Sequence, residues 1–247
     1  MSAPRFFCSA EIPPHSRFLL PDAPAHHALR VLRLRQGSPI VLFDGTGGEY
    51  PATLDIDGKQ AYALTGPHLP REAELPGRIV LLQGLPSGDK MDWVIEKAVE
   101  TGVSAIVPVA AQRSVLQLEG ERLEKRLSRW RGIATSASEQ CGRNRLLEIA
   151  RPCSLAQALA SLAPGLALFC HPDADTALAA RLRQAGPGAA DTLSLVIGPE
   201  GGWSDTELEL ARRHGAHPVS LGARVMRTET AGIVLAAACS ALLGWLD

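Results

Sequence analysis

Over the last two-thirds of the chain, short apolar runs alternate with amphipathic segments. Residues 78–84 (RIVLLQG) read as a strand. Residues 91–101 read as a helix with Met91, Val94, Ile95, Ala98 and Val99 as its apolar positions, the i, i+3, i+4 spacing of one helical face. The series continues with strands at 105–109, 166–170, 193–197 and 218–221 and helices at 122–140, 175–184, 204–214 and 228–244. Strands alternating with helices predict an α/β domain with a mostly parallel sheet. Before residue 72 the pattern differs. Prolines and glycines punctuate short runs, among them 40–43, 49–56 and 60–64, the last two joined through the hairpin-type turn Asp57-Gly58. This reads as a small β-barrel with one short helix at 24–34. The segment 67–77 carries three prolines and is the expected linker. The division is therefore 1–70 and 75–247.

Composition narrows the function classes. The 247 residues are 46% hydrophobic and 21% charged, enough for a core and too apolar for wholesale disorder. A formal net charge of -1 argues against a generally basic nucleic-acid coat protein, though not against a local basic patch. None of the five cysteines forms a CxxC pair, and no histidines flank them at ligand spacing. No metal is expected. Their odd number reads as reduced thiols in a cytoplasmic protein. The start, MSAPRFFCSAEIPP, has no apolar core of signal-peptide length. The apolar stretch 230–246 is short for a membrane span and reads as a buried helix, so no membrane is expected.

Four segments carry candidate chemistry. In the first, LVIGPEGGWS (195–204), an apolar strand runs into a glycine-rich turn and then a helix. Glycines there let a backbone approach a ligand closely; a tight strand-to-helix connection is the plainer alternative. Ser204 with Glu207 has capping-box spacing, and Trp203 with Leu208 fits a hydrophobic staple. The turn is neither GxGxxG nor GK[ST], so it supports neither a dinucleotide fold nor a phosphate loop. In the second, LGARVMRTETA (221–231), a strand ends at a glycine and a polar cluster opens the last helix. Thr228 is the expected cap, with Glu229 in the first turn. Ordinary capping leaves Arg224 and Arg227 unexplained, because the helix dipole disfavours cations at an N-terminus; a bound anion or other ligand would explain them.

The third segment, 113–151, has nine basic residues against five glutamates, net +4, which leaves -5 for the rest of the chain. A local basic zone on an acidic background suits RNA phosphates, while a solvated helix face laced with ion pairs suits 122–131 equally. Arg143 and Arg145, flanking Asn144, are the better phosphate candidates. The fourth, HHALRVLRLR (26–35), has two histidines, three arginines and no acid. It reads as a nucleic-acid contact or as the polar face of a helix end.

In this order the four segments resemble the RsmE family, bacterial methyltransferases of the SPOUT superfamily that modify N3 of a uridine in 16S rRNA. HHALRVLRLRQG and the strand after it are similar to that family's PUA-like β-barrel. QGLPSGDKMDWVIEKAVETGVSAIVPV (83–109) is similar to its first strand-helix-strand, and RGIATSASEQCGR (131–143) to its helix ending in EQxxR. IGPEGGWSDTELELA and LGARVMRTETA resemble its two cofactor loops, and these two together are the specific part. The chain departs from the family at Ser87, usually Lys, and at Thr101, Cys141 and Leu147, none of them in the cofactor loops.

The resemblance implies a trefoil-knotted parallel-sheet methyltransferase domain behind the PUA-like barrel. It also implies S-adenosyl-L-methionine as cofactor, 16S rRNA within an assembled small subunit as partner, and a homodimer with sites at its interface. A helix apolar all round, as 230–244 reads, must be buried, and a twin chain offers a surface to cover it. Ile197, Gly198, Glu200, Gly201, Gly202, Leu221, Gly222, Val225, Met226, Arg227 and Ala231 would hold the cofactor. Arg227 and Glu229 would be catalytic, the arginine stabilising charge on the uracil ring and the glutamate taking the N3 proton. Helix capping is the simpler reading of Glu229, and Glu200 could instead orient the loop. Arg5, His26, Arg30, Arg33, Lys90, Arg143 and Arg145 would hold RNA.

Two alternatives stay open at this point. One is a SPOUT enzyme acting on another RNA or atom, such as a ribose 2′-OH or a tRNA base. The other is a catalytically inactive RNA-binding assembly factor, which the two intact loops argue against. A doubly wound nucleotide-dependent enzyme would need a dinucleotide fingerprint that is absent.

Overall fold

The computed structural model describes residues 3–114, 119–185 and 191–246; four residues of the basic segment, 115–118, lie outside them. The chain forms two compact units, Met1–Glu74 with Thr135–Leu146, and Leu75–Ala134 with Leu147–Asp247. Residues 135–146 thus group with the N-terminal ones.

The first unit contains β1 (Arg5–Phe7), β2 (Arg17–Leu19), α1 (Asp22–His26), β3 (Pro39–Phe43), β4 (Tyr50–Asp57) and β5 (Gln60–Thr65). Its sheet runs β1-β3-β4-β5-β2, parallel between β1 and β3 and antiparallel elsewhere. Leu54 and Ile40, with Leu42, Ala61 and Ala63, alternate into a core around Phe6 and Ile12, the period of two expected of strands with one buried face. The β4–β5 hairpin turns through Gly58 at φ +59, a left-handed conformation that glycine adopts without strain. The expected helix at 24–34 starts earlier and stops sooner. α1 passes into a π-helical turn at His27–Val31, and Arg33 at φ +52 ends it.

The second unit contains β6 (Arg78–Gly84), α2 (Lys90–Glu100), β7 (Ala105–Ala110), α3 (Gly120–Cys141), β8 (Glu148–Ile149), β9 (Cys153–Ser154) and α4 (Leu155–Ala160). There follow β10 (Leu166–Cys170), α5 (Leu178–Ala185), β11 (Thr192–Ile197), α6 (Asp205–Arg213), β12 (His217–Val219) and α7 (Thr228–Leu242); the last seven residues of α3 group with the first unit. All ladders are parallel, in the order β12-β10-β11-β6-β7-β8, with β9 also on β7.

Along β6 the side chains alternate. Leu82 enters a core with Phe169, Val196, Trp203, Leu155 and Ala211 beneath α4 and α6, while Leu81 and Gln83 point at Gly232 of α7. α7 packs on α2, α5, β6 and β11. It is not buried all round. Thr228, Ala231, Gly232, Leu235, Ala236, Cys239 and Ser240 are buried, one stripe at helical spacing, while Ala237, Ala241 and Leu242 face solvent. Among the described residues no helix is long and apolar enough to cross a membrane, and no three His, Cys, Asp or Glu side chains gather as a metal site would need.

Candidate functional site

The carboxyl ends of parallel strands are where open α/β sheets bind ligands. Here the ends of β10, β11 and β12 open onto a cavity of about 490 Å³, a size ordinary for a small-molecule site. Cys170 ends β10, and His171 and Pro172 follow it; Ile197 ends β11, and Gly198, Pro199, Glu200 and Gly202 follow it; the loop from Leu221 to Arg227 follows β12. Of the eleven residues expected to hold the cofactor, ten line this cavity. Gly201 does not: its carbonyl accepts a hydrogen bond from Arg113 at 3.0 Å, and a Cβ there would stand 2.9 Å from the Arg113 side chain.

Local rules place each loop. Ser204 and Glu207 form the expected capping box, Ser204 Oγ accepting the Glu207 N–H and the Glu207 carboxylate accepting the Ser204 N–H. The second Glu207 oxygen accepts the Gln112 N–H at 2.9 Å. Trp203 is buried beside Phe169, ring centroids 5.4 Å apart, in a cluster against which Leu208 also packs. Gly202 at φ +66 and Gly222 at φ +90 have open space where a Cβ would project. At α7 the expectation fails. The N-cap is Arg227, which makes no side-chain cap, and Thr228 is the first helical residue. Its hydroxyl donates across the fold to the Gly198 carbonyl and accepts from Gln83 Nε2 at 2.9 Å.

Charge in the cavity is mixed. Burial alone raises the Glu200 pKa. Hydrogen bonds from Lys90 Nζ at 2.7 Å and from the Ser87 hydroxyl and N–H at 2.7 and 3.0 Å outweigh it and draw the carboxyl down to about 2. Lys90 also lies 3.8 Å from Glu229. Lys90, expected among the RNA contacts, stands on the cavity wall, where two carboxylates engage it. Among the described residues, Glu229 Oε2 and Trp203 Nε1 are buried with no hydrogen-bond partner. Arg113, Arg224 and Arg227 complete the cationic side. Burial pushes the Cys170 thiol up to about 11, so it lines the cavity protonated and is a poor nucleophile. Sequence reasoning missed Arg113, Cys170, His171, Pro172, Pro199, Trp203 and Thr228 as lining residues; the strand-end rule applied to 166–170 would have reached three of them.

The other expected RNA contacts lie in the first unit. Arg143 is buried and paired with Glu74 through Nε at 3.0 Å and Nη2 at 2.6 Å. Arg5 pairs with Glu49 at 2.5 Å and with Asn144. Both guanidiniums are engaged within the unit: Arg5 ties β1 to Asn144, and Arg143 ties the 135–146 segment to Glu74. Glu139 of the EQxxR segment accepts the Phe7 N–H at 2.9 Å. Its burial raises its pKa, against the lowering effects of that bond, of His27 and of Arg5. His26, Arg30 and Arg33 are exposed. Arg145 is exposed beside Glu72 at 3.2 Å. Within 122–131 the ion-paired reading applies to Arg126 and Arg129, which bond Asp89 and Asp92.

An RNA methyltransferase domain family matches residues 73–240, and an RNA methyltransferase PUA domain family matches 20–65. The chain is 36% identical to the ribosomal RNA small subunit methyltransferase E of Synechocystis over 91% of this chain and 73% of that one. It is 30% identical to the Bacillus subtilis protein of the same name, over 90% and 89%. Among solved structures, the ribosomal RNA small subunit methyltransferase E of Neisseria gonorrhoeae bound to S-adenosyl methionine superposes with a TM-score of 0.89 at 34% identity, covering 98% of each chain. A Legionella pneumophila chain in complex with SAM gives 0.90 at 33%, with the same coverage. With an RNA methyltransferase domain over two-thirds of its length and relatives at these identities over nine-tenths of it, the chain belongs to the ribosomal RNA small subunit methyltransferase E family.

Proposed function

We propose that the chain transfers a methyl group from S-adenosylmethionine to N3 of a uridine in 16S rRNA, working as a homodimer on the assembled small subunit. The observation that carries the reading is the cavity at the ends of β10, β11 and β12, walled by the two loops that the family's signature occupies. Its chemistry fits the cofactor. Apolar Ile197, Leu221 and Met226 beside open glycine backbone suit a flat adenosine. Trp203 Nε1, buried without a hydrogen-bond partner among the described residues, and the nearby Arg113 and Arg224 suit the polar and charged groups of an amino acid. The cofactor supplies a methyl carbon already activated by its sulfonium.

The protein therefore has to hold, orient and deprotonate. Backbone groups of 197–202 and 221–226 hold the adenosine, which accounts for the scarcity of polar side chains there. Arg227, exposed at the start of α7, faces the uracil and stabilises negative charge on the ring as N3 loses its proton. The positive end of the α7 dipole acts in the same sense. Glu229 Oε2 accepts that proton. Glu200, held ionised by Lys90 and Ser87, anchors the 198–202 loop to the start of α2. His26, Arg30, Arg33 and Arg145 hold phosphates, which fix register without choosing the base.

The trefoil knot and the dimer are parts of the same proposal. The insertion of β11 between β10 and β6, with the return of α7 to both β6 and β11, supports the knot. The apolar solvent face of α7, with Leu242 at 52% exposure, supports a second copy covering it. The test is Arg227→Ala. Turnover should fall by about 10²–10³, while calorimetric binding of S-adenosylmethionine stays close to that of the unaltered protein. Loss of cofactor binding would make Arg227 a cofactor ligand and refute its assignment.

A further inference from the structure

Gln83 has no solvent exposure, yet it is an amide on an interior strand of a parallel sheet. Such a group is costly to bury unless its hydrogen bonds are met. Both hydrogens of its Nε2 are used, one on the Gly84 carbonyl at 3.0 Å and one on Thr228 Oγ1 at 2.9 Å, while Oε1 has no partner among the described residues; the Thr228 hydroxyl donates on to the Gly198 carbonyl. All donors run one way. Turning the amide over would set its oxygen against the Gly84 carbonyl, so the relay also fixes the amide's sense. Gly198 opens one cofactor loop and Thr228 closes the other. Gln83 itself does not line the cavity.

Packing around the relay leaves little slack. A Cβ on Gly84 would stand 2.5 Å from the Pro199 nitrogen and 2.8 Å from the Gly198 carbonyl carbon, so the end of β6 runs hard against the first loop. A Cβ on Gly232 would meet Leu81 at 3.1 Å and Gln83 Oε1 at 3.2 Å, so α7 approaches the amide only because residue 232 lacks a side chain. Three chain ends, of β6, β11 and α7, meet at one buried chain of hydrogen bonds. We infer that Gln83 and Thr228 are positioning residues that lock the two cofactor loops to each other. This rests on the cofactor reading above.

The test titrates S-adenosylmethionine calorimetrically into the unaltered protein, Thr228→Val, Thr228→Ser, Gln83→Leu and the Thr228→Val, Gln83→Leu double variant, with urea unfolding measured alongside. Thr228→Val keeps the shape and removes the hydroxyl. It and Gln83→Leu should each weaken binding by about 5- to 100-fold, the effect of leaving one buried polar group unmatched. Thr228→Ser should restore most of the affinity. The double variant should be little worse than the weaker single one, because links of one chain do not add. Should Gln83→Leu fail to fold, the valine and serine variants decide by themselves. Binding by the unaltered protein with equal binding by Thr228→Val, whatever the change in stability, overturns the relay alone. No binding by the unaltered protein overturns the cofactor reading and the relay together.

Discussion

Arg143 separates a structural role from an RNA-binding one. Its guanidinium is 4% exposed and makes two bonds to Glu74, whose side chain is 19% exposed. Arg143→Ala leaves that carboxylate without its partner in a largely dry site. Breaking a buried pair from one side costs about 3–5 kcal/mol, and the residual exposure of Glu74 puts the expectation near 3 kcal/mol, roughly a hundredfold in the opening equilibrium. All four tryptophans, Trp93, Trp130, Trp203 and Trp245, belong to the second unit, so fluorescence would not see the loss. Hydrogen exchange of peptides from β1 and β3–β5 would, as a roughly hundredfold drop in protection. Replacing Arg143 and Glu74 together by methionine removes both charges and should recover most of the protection. The same double variant should bind RNA with an unchanged salt slope. A phosphate contact predicts the reverse: stability nearly untouched by Arg143→Ala and a salt slope smaller by about one. That result would refute the buried-pair account.

Further outcomes follow from the same geometry. Glu200→Gln should free the 198–202 loop from Lys90 and Ser87 and weaken cofactor binding; because Glu200 is over a third exposed, the stability change should be at most about 1 kcal/mol after solvent screening. Glu200 has a lowered folded pKa, so its contribution is present above the ordinary value of 4.5 and is lost as pH falls through about 2. Cofactor binding followed downward from neutral pH should show no Glu200 transition near 4.5. Glu139 behaves oppositely. Its folded pKa is raised above 4.5, so its favourable contribution is complete below 4.5 and is lost as pH rises through the raised value. Glu139→Gln should flatten the pH dependence of first-unit stability in that window, as read by hydrogen exchange of β1. Gly84→Ala should abolish cofactor binding, since the added carbon falls on the Pro199 backbone; a crystal structure with the loop unmoved would contradict this.

What the sequence could and could not reveal follows from distance along the chain. The strands 78–84 and 166–170 are realised as read, and most helices lie within two residues of expectation, because periodicity is local. The helix expected at 175–184 begins at Leu178. β8 and β9, two residues each, are too short to carry a period, and α4 went unread although Ser154 and Gln157 form its capping box. The site was legible where it consists of loop backbone. It was misread where a polar side chain reaches far. Thr228 resembles a cap because capping is local, yet its acceptor Gly198 lies 30 residues away. The carboxylates that engage Arg5 and Arg143 lie 44 and 69 residues away, beyond the reach of any local pattern. A buried ion pair and an exposed phosphate contact look alike in sequence; burial alone separates them.

The central claim is the reaction itself. Small ribosomal subunits lacking the modification would be incubated with the protein and methyl-labelled S-adenosylmethionine, and the 16S rRNA digested and analysed by mass spectrometry. The account predicts label in 3-methyluridine and nowhere else, lost with Arg227→Ala. Label on a ribose oxygen or on another base, or no label from a protein that binds the cofactor and the subunit, would contradict it.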